Sequence, residues 1–284
     1  MSDPAPFSLR GCRVAVVGLG LMGGSLALAL REHCAALYGI DPDAETLGLA
    51  RRWGLATAVS ADPAELLPAA DLVILAAPVR AILGLLAALP RLHPGTAVVL
   101  DVGSTKRAIV AAMERLPARF DPLGGHPMCG KEVSSLAHAY AGMYHGAPFA
   151  LTPLPRTTAR ARAAAQAVVQ AVGANLLWLD AETHDRWVAA TSHLPYLLAN
   201  ALAGATPGAV RPLVGPGFLS TTRVAASAQQ VMLDILTTNR EPVLDALTQF
   251  ETRLAAVRAA LQAQDWAALA GLLAEGAGRR GELV

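Results

Sequence analysis

The chain has few of the residues that mark several classes of protein. Its three cysteines, Cys12, Cys34 and Cys129, are odd in number and scattered, so the sequence predicts neither a disulfide framework nor a paired-cysteine metal site. Such cysteine usage fits a reducing compartment. We therefore expect a cytoplasmic protein that holds no metal.

Charge is also scarce. Charged residues make up 16% of the 284 residues, and the net charge is +1. Proteins that bind nucleic acid or a membrane surface need a basic excess or a basic patch, so we expect neither partner. Hydrophobic residues reach 54%, which suffices to bury a large core and excludes a disordered chain.

The most informative segment is 14–41. A short apolar run is followed by Gly18, Gly20 and Gly23 in the spacing G-x-G-x-x-G, then by an apolar helical stretch and a second short run that ends in Asp41. This order of strand, turn, helix, strand and acid is that of a dinucleotide-binding unit. A signal segment, a short membrane span and a glycine turn that binds nothing are weaker interpretations, because several glycines interrupt the apolar run and no basic region precedes it.

Each part of this unit has a physical role. Gly18 permits the tight turn, Gly20 lets the backbone approach a pyrophosphate, and Gly23 lets the helix pack on the strand. The N-terminus of the helix offers unpaired N–H groups to the phosphates. Asp41 follows at close to the ~20 residues expected for the acid that binds the adenosine ribose. It favours NAD, because the 2′-phosphate of NADP would meet a like charge.

Strands and helices alternate as far as residue 179. After the first unit, strands are predicted at 57–59, 72–77, 97–102, 148–151 and 175–179, and helices at 43–53, 79–89, 106–115 and 157–172. Continuous apolar strands separated by helices predict a mostly parallel sheet covered on both faces. The sequence thus predicts an α/β, Rossmann-type domain over residues 1–180.

From residue 181 onward the strand pattern stops. Helices are predicted at 182–204, 217–237, 241–263 and 265–274. They predict an all-α domain over residues 181–284. The third of these helices repeats apolar residues at spacings of three and four, at Leu244, Leu247, Phe250, Leu254, Val257 and Leu261. An internal core and a dimer core would both present such a face.

Two segments of the first domain carry candidate chemistry at the carboxyl ends of strands, where ligands bind in open α/β sheets. Ser104 precedes a predicted helix and either caps it or borders the nicotinamide. Lys106, in the first helical turn, is expected in solvent. His126 lies in the predicted polar loop 124–132, which has no apolar periodicity to bury it, and a site role is favoured.

Two further segments lie in the helical domain. Pro195 removes a backbone hydrogen bond and kinks the helix around it. His193 stands near this kink and either lines a cleft between the domains or is a satisfied helix histidine. Arg223 follows a glycine turn and suits a carboxylate, because its planar fork binds both oxygens, or else it is a surface arginine.

Together these segments resemble the prephenate/arogenate dehydrogenase family of tyrosine biosynthesis. The resemblance rests on GLGLMGGSLALAL at 18–30, DVGSTK at 101–106, GGHPMCGKE at 124–132, FALTP at 149–153, HDRWVAATSHLPYLLANAL at 184–202 and GPGFLSTTRVA at 215–225. The first piece is shared by many dehydrogenases, whereas the later ones in combination are specific.

The resemblance implies NAD-dependent oxidative decarboxylation of prephenate to 4-hydroxyphenylpyruvate or of arogenate to tyrosine. His126 would take the proton of the substrate 4-hydroxyl as hydride leaves C4, and a neutral imidazole suits this. Ser104 would hold the hydroxyl and His126 in register. Arg223 would bind a substrate carboxylate, His193 would line the pocket, and Glu132 would contact or gate the substrate side chain.

The remaining expectations concern the binding residues, the choice of substrate and the assembly. The predicted substrate-binding residues are Arg223, His193, Glu132 and Thr222, and the predicted cofactor-binding residues are Gly18, Gly20, Leu21, Met22, Gly23, Asp41, Ala77 and Pro78. Ser220 stands where some relatives carry an acid, which leaves prephenate and arogenate both open. The resemblance further implies a homodimer through the helical domain, and the end at Val284 leaves room for neither a fused mutase nor an ACT domain.

Two other functions stay open. A two-domain β-hydroxyacid dehydrogenase or imine reductase shares the glycine start and the helical second domain, but the segments around His126 and His193 argue against it. A protein that senses NAD without turnover would need only the glycine unit. The presence of Ser104, His126, His193 and Arg223 in one chain argues against that alternative.

Overall fold

The fold is built on an eight-stranded sheet, seen in a computed structural model that describes residues 8–131 and 133–283. The strands are β1 (Arg13–Val17), β2 (Ala36–Ile40), β3 (Ala58–Ser60), β4 (Leu72–Leu75), β5 (Ala97–Asp101), β6 (Phe120–Pro127), β7 (Pro148–Pro153) and β8 (Asn175–Trp178). Their order across the sheet is β3-β2-β1-β4-β5-β6-β7-β8.

The first six strands are parallel, β7 is antiparallel to β6, and β8 is parallel to β7. This confirms the predicted mostly parallel, Rossmann-type sheet. The strand order reverses between β1 and β4, and ligands of such sheets bind beyond the carboxyl ends of the strands at that point.

Helices cover both faces of the sheet. They are α1 (Leu21–Leu30), α2 (Ala44–Arg52), α3 (Pro63–Leu66), α4 (Val79–Leu92), α5 (Arg107–Glu114) and α6 (Ala159–Ala171). Successive strand residues point to opposite faces, so Val14 and Val16 pack in one core and Ala15 and Val17 in the other. This double burial explains why the strands are continuously apolar.

The strands end at Trp178, and the rest of the chain is helical. The helices are α7 (Ala181–Val188), α8 (Leu194–Ala205), α9 (Pro216–Thr222), α10 (Gln229–Thr238), α11 (Arg240–Ala263) and α12 (Trp266–Glu282). A π-helical segment, Ala189–His193, joins α7 to α8 just before Pro195. No helix in the described ranges is long and apolar enough to cross a membrane.

Two predicted helices are wrong in extent. The helix predicted at 217–237 is broken by a 3-10 turn at Arg223–Ala226 and by extended backbone at Ser227, whose hydroxyl donates to the carbonyl of Val224 at 2.8 Å. A serine that bonds the local backbone in this way competes with the helix. The helix predicted to end at 274 continues to Glu282.

The predicted loop 124–132 is also wrong in part, because its first four residues end strand β6. His126 pairs with Ala150 of β7. A Cβ on Gly124 would lie 2.2 Å from the Oγ1 of Thr152, and one on Gly125 would lie 2.7 Å from the carbonyl oxygen of Asp101. These glycines therefore permit close strand packing.

The chain divides into two compact units, residues 1–239 and 240–284. The predicted boundary at 180 marks where the strands stop, but the following helices stay tied to the sheet. The Asp185 carboxylate accepts the backbone N–H of Lys106 at 2.7 Å, and the hydroxyls of Thr105 and Thr238 are 2.8 Å apart. The division at residue 180 into a Rossmann-type domain and an all-α domain therefore stays a prediction.

Candidate active site

The glycines of the turn at 18–23 have two different roles, one in packing and one in leaving space for a ligand. Gly18 has a φ of +95°, and a Cβ there would lie 2.4 Å from the carbonyl oxygen of Ala76. A Cβ on Gly23 would lie 1.8 Å from the carbonyl oxygen of Gly18. The protein's own packing requires both. Gly20, the residue before α1, meets nothing within 4 Å, so the space at this helix N-terminus is open and suits a pyrophosphate.

Asp41 lies directly beside this turn. One of its carboxylate oxygens accepts the backbone N–H of Leu19 at 2.7 Å, and the other accepts that of Asp43 at 2.9 Å. The side chain thus joins the end of β2 to the glycine turn, while each oxygen keeps a further lone pair for a ligand hydroxyl. The residues present fit the ribose of a dinucleotide and disfavour a 2′-phosphate.

The other predicted cofactor residues surround the same edge of the sheet. Leu21 is buried, so it offers only its backbone there, and Met22 uses its carbonyl to accept the Tyr144 hydroxyl at 2.6 Å. Ala77 is half-buried and Pro78 is exposed, and both follow β4 next to the glycine turn.

A buried ion pair lies at the end of β5. The Lys106 ammonium donates to the Asp101 carboxylate and, at 2.6 Å, to the carbonyl of Gly125, and both charged side chains are fully buried. Asp101 also accepts the N–H groups of Gly103 at 2.8 Å and Gly125 at 3.1 Å. Burial raises the pKa of Asp101 and lowers the pKa of Lys106, and each charge opposes the shift of its partner. The pair thereby anchors the strand beside His126.

The expectation that Lys106 is solvated is therefore wrong. Helix α5 begins one residue later, at Arg107, and Lys106 turns inward. An acid at the end of the preceding strand was the one sequence signal for this pair.

Ser104 lies half-buried in the connection between β5 and α5. It does not cap α5, because the Asp185 carboxylate accepts the N–H groups of Lys106 at 2.7 Å and Arg107 at 2.9 Å instead. Within residues 8–131 and 133–283, no hydrogen-bond partner of the Ser104 hydroxyl is found, so this group is available to a ligand.

His126 is the half-buried penultimate residue of β6 and contacts a second histidine. Its Nδ1 lies 2.9 Å from the Nε2 of His184, and the Nδ1 of His184 lies 2.8 Å from the carboxylate of Asp185. Desolvation holds the pKa of His126 well below its usual 6.5, and the nearby His184, Lys106 and His193 lower it further. His126 is consequently unprotonated at neutral pH and able to accept a proton.

His193 completes the group of histidines. It is 1% exposed and ends the π-helical segment, a kind of distortion often found at functional sites. Its Nδ1 lies 3.1 Å from the side-chain nitrogen of Asn239, which also donates to the carbonyl of Asp185 at 2.7 Å. Desolvation lowers the pKa of His193 to about 4. His193 is thus a hydrogen-bonded helix histidine, and its electrostatic effect also lowers the pKa of His126.

Sequence reasoning missed His184, Asp185 and Asn239 as members of this site. His184 and Asp185 open the motif at 184–202 that contributed to the family resemblance, but no role was assigned to them, and Asn239 gave no signal. Nothing local in the sequence connects them to residue 126.

The remaining predicted substrate residues lie on other elements. Arg223 is exposed at the start of the 3-10 turn that packs against α8, and the Thr222 hydroxyl donates to the carbonyl of Phe218 at 2.8 Å. Glu132 lies outside the described residues.

A glycine turn for a dinucleotide and a neutral histidine base at the same edge of a Rossmann sheet are features of a nucleotide-dependent dehydrogenase. The family model for the nucleotide-binding domain of prephenate dehydrogenase matches residues 26–178, and the model for its dimerization domain matches residues 180–275. The chain belongs to the prephenate dehydrogenase family.

Individual relatives agree with this assignment. Cyclohexadienyl dehydrogenase from Zymomonas mobilis is 30% identical over 263 residues, which cover 89% of each chain. The structure of Aquifex aeolicus prephenate dehydrogenase with hydroxyphenyl propionate and NAD+ matches with a TM-score of 0.89 and 29% identity, over 96% of this chain and 98% of that one. Synechocystis arogenate dehydrogenase matches with a TM-score of 0.82 and 30% identity, over 96% and 100%. The resemblance seen in the sequence motifs is confirmed.

Proposed function

We propose that this protein catalyses the NAD-dependent oxidative decarboxylation of prephenate or arogenate in tyrosine biosynthesis. The observation that carries the proposal is His126, a half-buried neutral histidine at the carboxyl edge of the dinucleotide sheet in a chain of this family. A histidine with a lowered pKa is unprotonated at neutral pH. It can therefore accept the substrate proton during the reaction and release it readily afterwards.

NAD would be held by the open N-terminus of α1 beside Gly20 and by the Asp41 carboxylate. Bound NAD supplies the acceptor for the hydride that leaves C4 of the substrate ring. Gly18 and Gly23 shape the turn without facing the ligand, since their missing Cβ positions are filled by the protein's own backbone. Leu21, Met22, Ala77 and Pro78 complete the proposed cofactor set.

His126 would accept a hydrogen bond from the substrate 4-hydroxyl and take its proton as the C4 hydride departs. The ring carboxylate then leaves as carbon dioxide, its bonding electrons complete the aromatic ring, and the phenolate so formed takes the proton back from His126. Ser104, whose hydroxyl has no partner in the described chain, would hold the 4-hydroxyl. Burial, followed by the effects of His184, Lys106 and His193, lowers the pKa of His126 and keeps it unprotonated before the reaction.

The substrate side chain would meet residues from the helical part of the chain. By the resemblance, Arg223 would bind a carboxylate, His193 would line the pocket, and Glu132 would contact or gate the side chain. Thr222 belongs to the same proposed substrate-binding set. This division of tasks corresponds to a cofactor part at 1–180 and a substrate and dimer part at 181–284.

We also propose a cytoplasmic homodimer that forms through the helical part. The second matched family model is described as a dimerization domain. On α11, Leu244, Leu254 and Leu261 are 43%, 48% and 50% exposed, as expected of helix positions that a partner would cover. Light scattering on the purified chain checks the mass.

A rate comparison of prephenate and arogenate, each with NAD and with NADP, tests the reaction. We expect reduced nicotinamide to form with at least one of the two acids, and NAD to be preferred. His126→Asn serves as the inactive control. Turnover of a β-hydroxyacid or an imine with no turnover of either cyclohexadienyl acid would replace the proposal, and NAD binding without any turnover would indicate a sensor.

A further inference from the structure

We propose that Asp185 and His184 are positioning residues that hold His126 in one tautomer, with the proton on Nδ1 and the lone pair on Nε2. The proposal rests on the proposed function, in which Nε2 of His126 is the base. It assigns a role to two buried residues, of which His184 contacts His126 and Asp185 contacts His184.

The direction of the hydrogen bonds is set at Asp185. Its Oδ1 accepts the backbone N–H of Lys106 at 2.7 Å, and its Oδ2 accepts that of Arg107 at 2.9 Å. Backbone amides only donate, and the N-terminus of α5 favours negative charge, so this side chain is a carboxylate acceptor. A third donor, the Nδ1 of His184, lies 2.8 Å from Oδ1.

The donor and acceptor roles set at Asp185 also determine which ring donates in the hydrogen bond between His184 and His126. In a neutral imidazole one nitrogen donates and the other accepts. Because Nδ1 of His184 donates to Asp185, its Nε2 carries the lone pair. The Nδ1 of His126, 2.9 Å away, must then donate to it. The nitrogen of His126 left without a proton is Nε2, which a base needs.

The same residue sets the opposite tautomer in His193. The carbonyl of Asp185 only accepts, so the Asn239 side-chain atom 2.7 Å from it is the amide nitrogen. That NH2 group donates its second hydrogen to Nδ1 of His193 at 3.1 Å. His193 therefore carries its proton on Nε2. His126 presents an acceptor and His193 presents a donor, and the polarity of both depends on Asp185.

Burial makes this polarity hard to reverse. His184, Asp185, His193 and Asn239 are each 1% exposed or less, so no solvent is at hand to exchange donors for acceptors. Reversal would leave two donors or two acceptors facing each other in a low dielectric, which is costly.

The first experiment reads the tautomers directly in the unliganded full chain labelled with ¹⁵N-histidine. Long-range ¹H–¹⁵N correlations, assigned with the variants His126→Asn and His193→Asn, report which ring nitrogen carries each proton. We expect Nδ1–H for His126 and His184, and Nε2–H for His193. A proton on Nε2 of His126, or protons on both nitrogens of His184 at neutral pH, would overturn the proposal. The measurement needs no turnover, so its outcome is independent of the proposed reaction.

The second experiment compares two amide substitutions of similar size. In His184→Gln the amide oxygen reaches the place of Nε2 and can accept from His126, whereas in His184→Asn the amide reaches only the place of Nδ1, next to Asp185. We expect kcat to fall by less than about 10-fold in His184→Gln and by roughly 10²-fold or more in His184→Asn, the scale on which a positioned base acts. KM for NAD and the melting temperature should differ little between the two folded variants.

Equal losses in the two folded variants, or no loss in either, would contradict a positioning role for His184. Should either variant fail to fold, the tautomer measurement on the unmodified chain still decides the question.

Discussion

At the scale of single residues, the site is shaped more by removal of water than by any one partner. Desolvation is the largest cause of the lowered pKa of both His126 and His193. The same effect acts on the buried pair Asp101 and Lys106, where each charge compensates for the burial of the other. A neutral base thus stands a short distance from a buried positive charge.

The pH dependence of kcat follows from this environment. His126 acts as a base only when neutral, so activity should persist below pH 6.5 and fall only as pH drops through its lowered pKa. Lys106, His184 and His193 face His126, and all three disfavour its protonation. A pH–rate profile measures the acid limb. A limb at or above pH 6.5 would contradict the structure.

His193 makes a separate contribution to stability. Its pKa is about 4 in the folded chain, against ~6.5 when unfolded, so the unfolded state binds the extra proton first. Stability should be highest above pH 6.5 and fall as pH drops towards about 4. Thermal melts of the protein and of His193→Asn over this range should differ, with the smaller decline in the variant. Parallel declines would show that His193 is not buried as described.

At the scale of elements, a buried ion pair connects the ends of β5 and β6. Lys106 ties the Asp101 carboxylate to the carbonyl of Gly125, directly before His126. Asp185 of α7 caps α5, so a helix beyond the last strand holds the helix that follows β5. His126 is thereby linked to β5 through the buried ion pair, and to α7 and α5 through His184 and Asp185.

Breaking the buried pair from one side should be costly. Lys106→Met leaves the Asp101 carboxylate buried with only two backbone donors, and we expect a loss of about 3 kcal/mol or more in the free energy of unfolding. The double variant Asp101→Asn with Lys106→Met removes the stranded charge and should recover part of that loss. Denaturant titration compares the three proteins. A double variant no more stable than Lys106→Met alone would argue against a coupled pair.

At the scale of the whole molecule, cofactor binding should be visible as stability. A ligand that binds only the folded chain at 100 times its Kd adds about 2.7 kcal/mol. We expect NAD to raise the melting temperature more than NADP does. Asp41→Asn, which keeps an acceptor but removes the charge, should narrow the difference between the two cofactors. A preference unchanged in the variant would remove Asp41 from cofactor selection.

Local patterns carried much of the prediction. Strand β4 is a continuous apolar run and β5 is one as far as Asp101, and the glycine spacing at 18–23 between a strand and a helix is typical of a dinucleotide-binding turn. The predicted single helix over 217–237 was wrong because a serine–backbone bond and extended backbone at Ser227 interrupt it, and apolar periodicity does not report such breaks. The end of β6, residues 124–127, was mistaken for part of a loop because its glycines also favour turns.

The sequence by itself determined the mostly parallel sheet, apart from β6, and singled out the glycine turn and His126 as the candidate cofactor turn and base, because each of these signals lies in residues close together in the chain. Only the tertiary structure decided how that base is oriented. His126 and His184 are 58 residues apart, Lys106 and Asp185 are 79 apart, and His193 and Asn239 are 46 apart. Their hydrogen bonds exist because α7 packs against the end of the sheet, and no local periodicity encodes that packing.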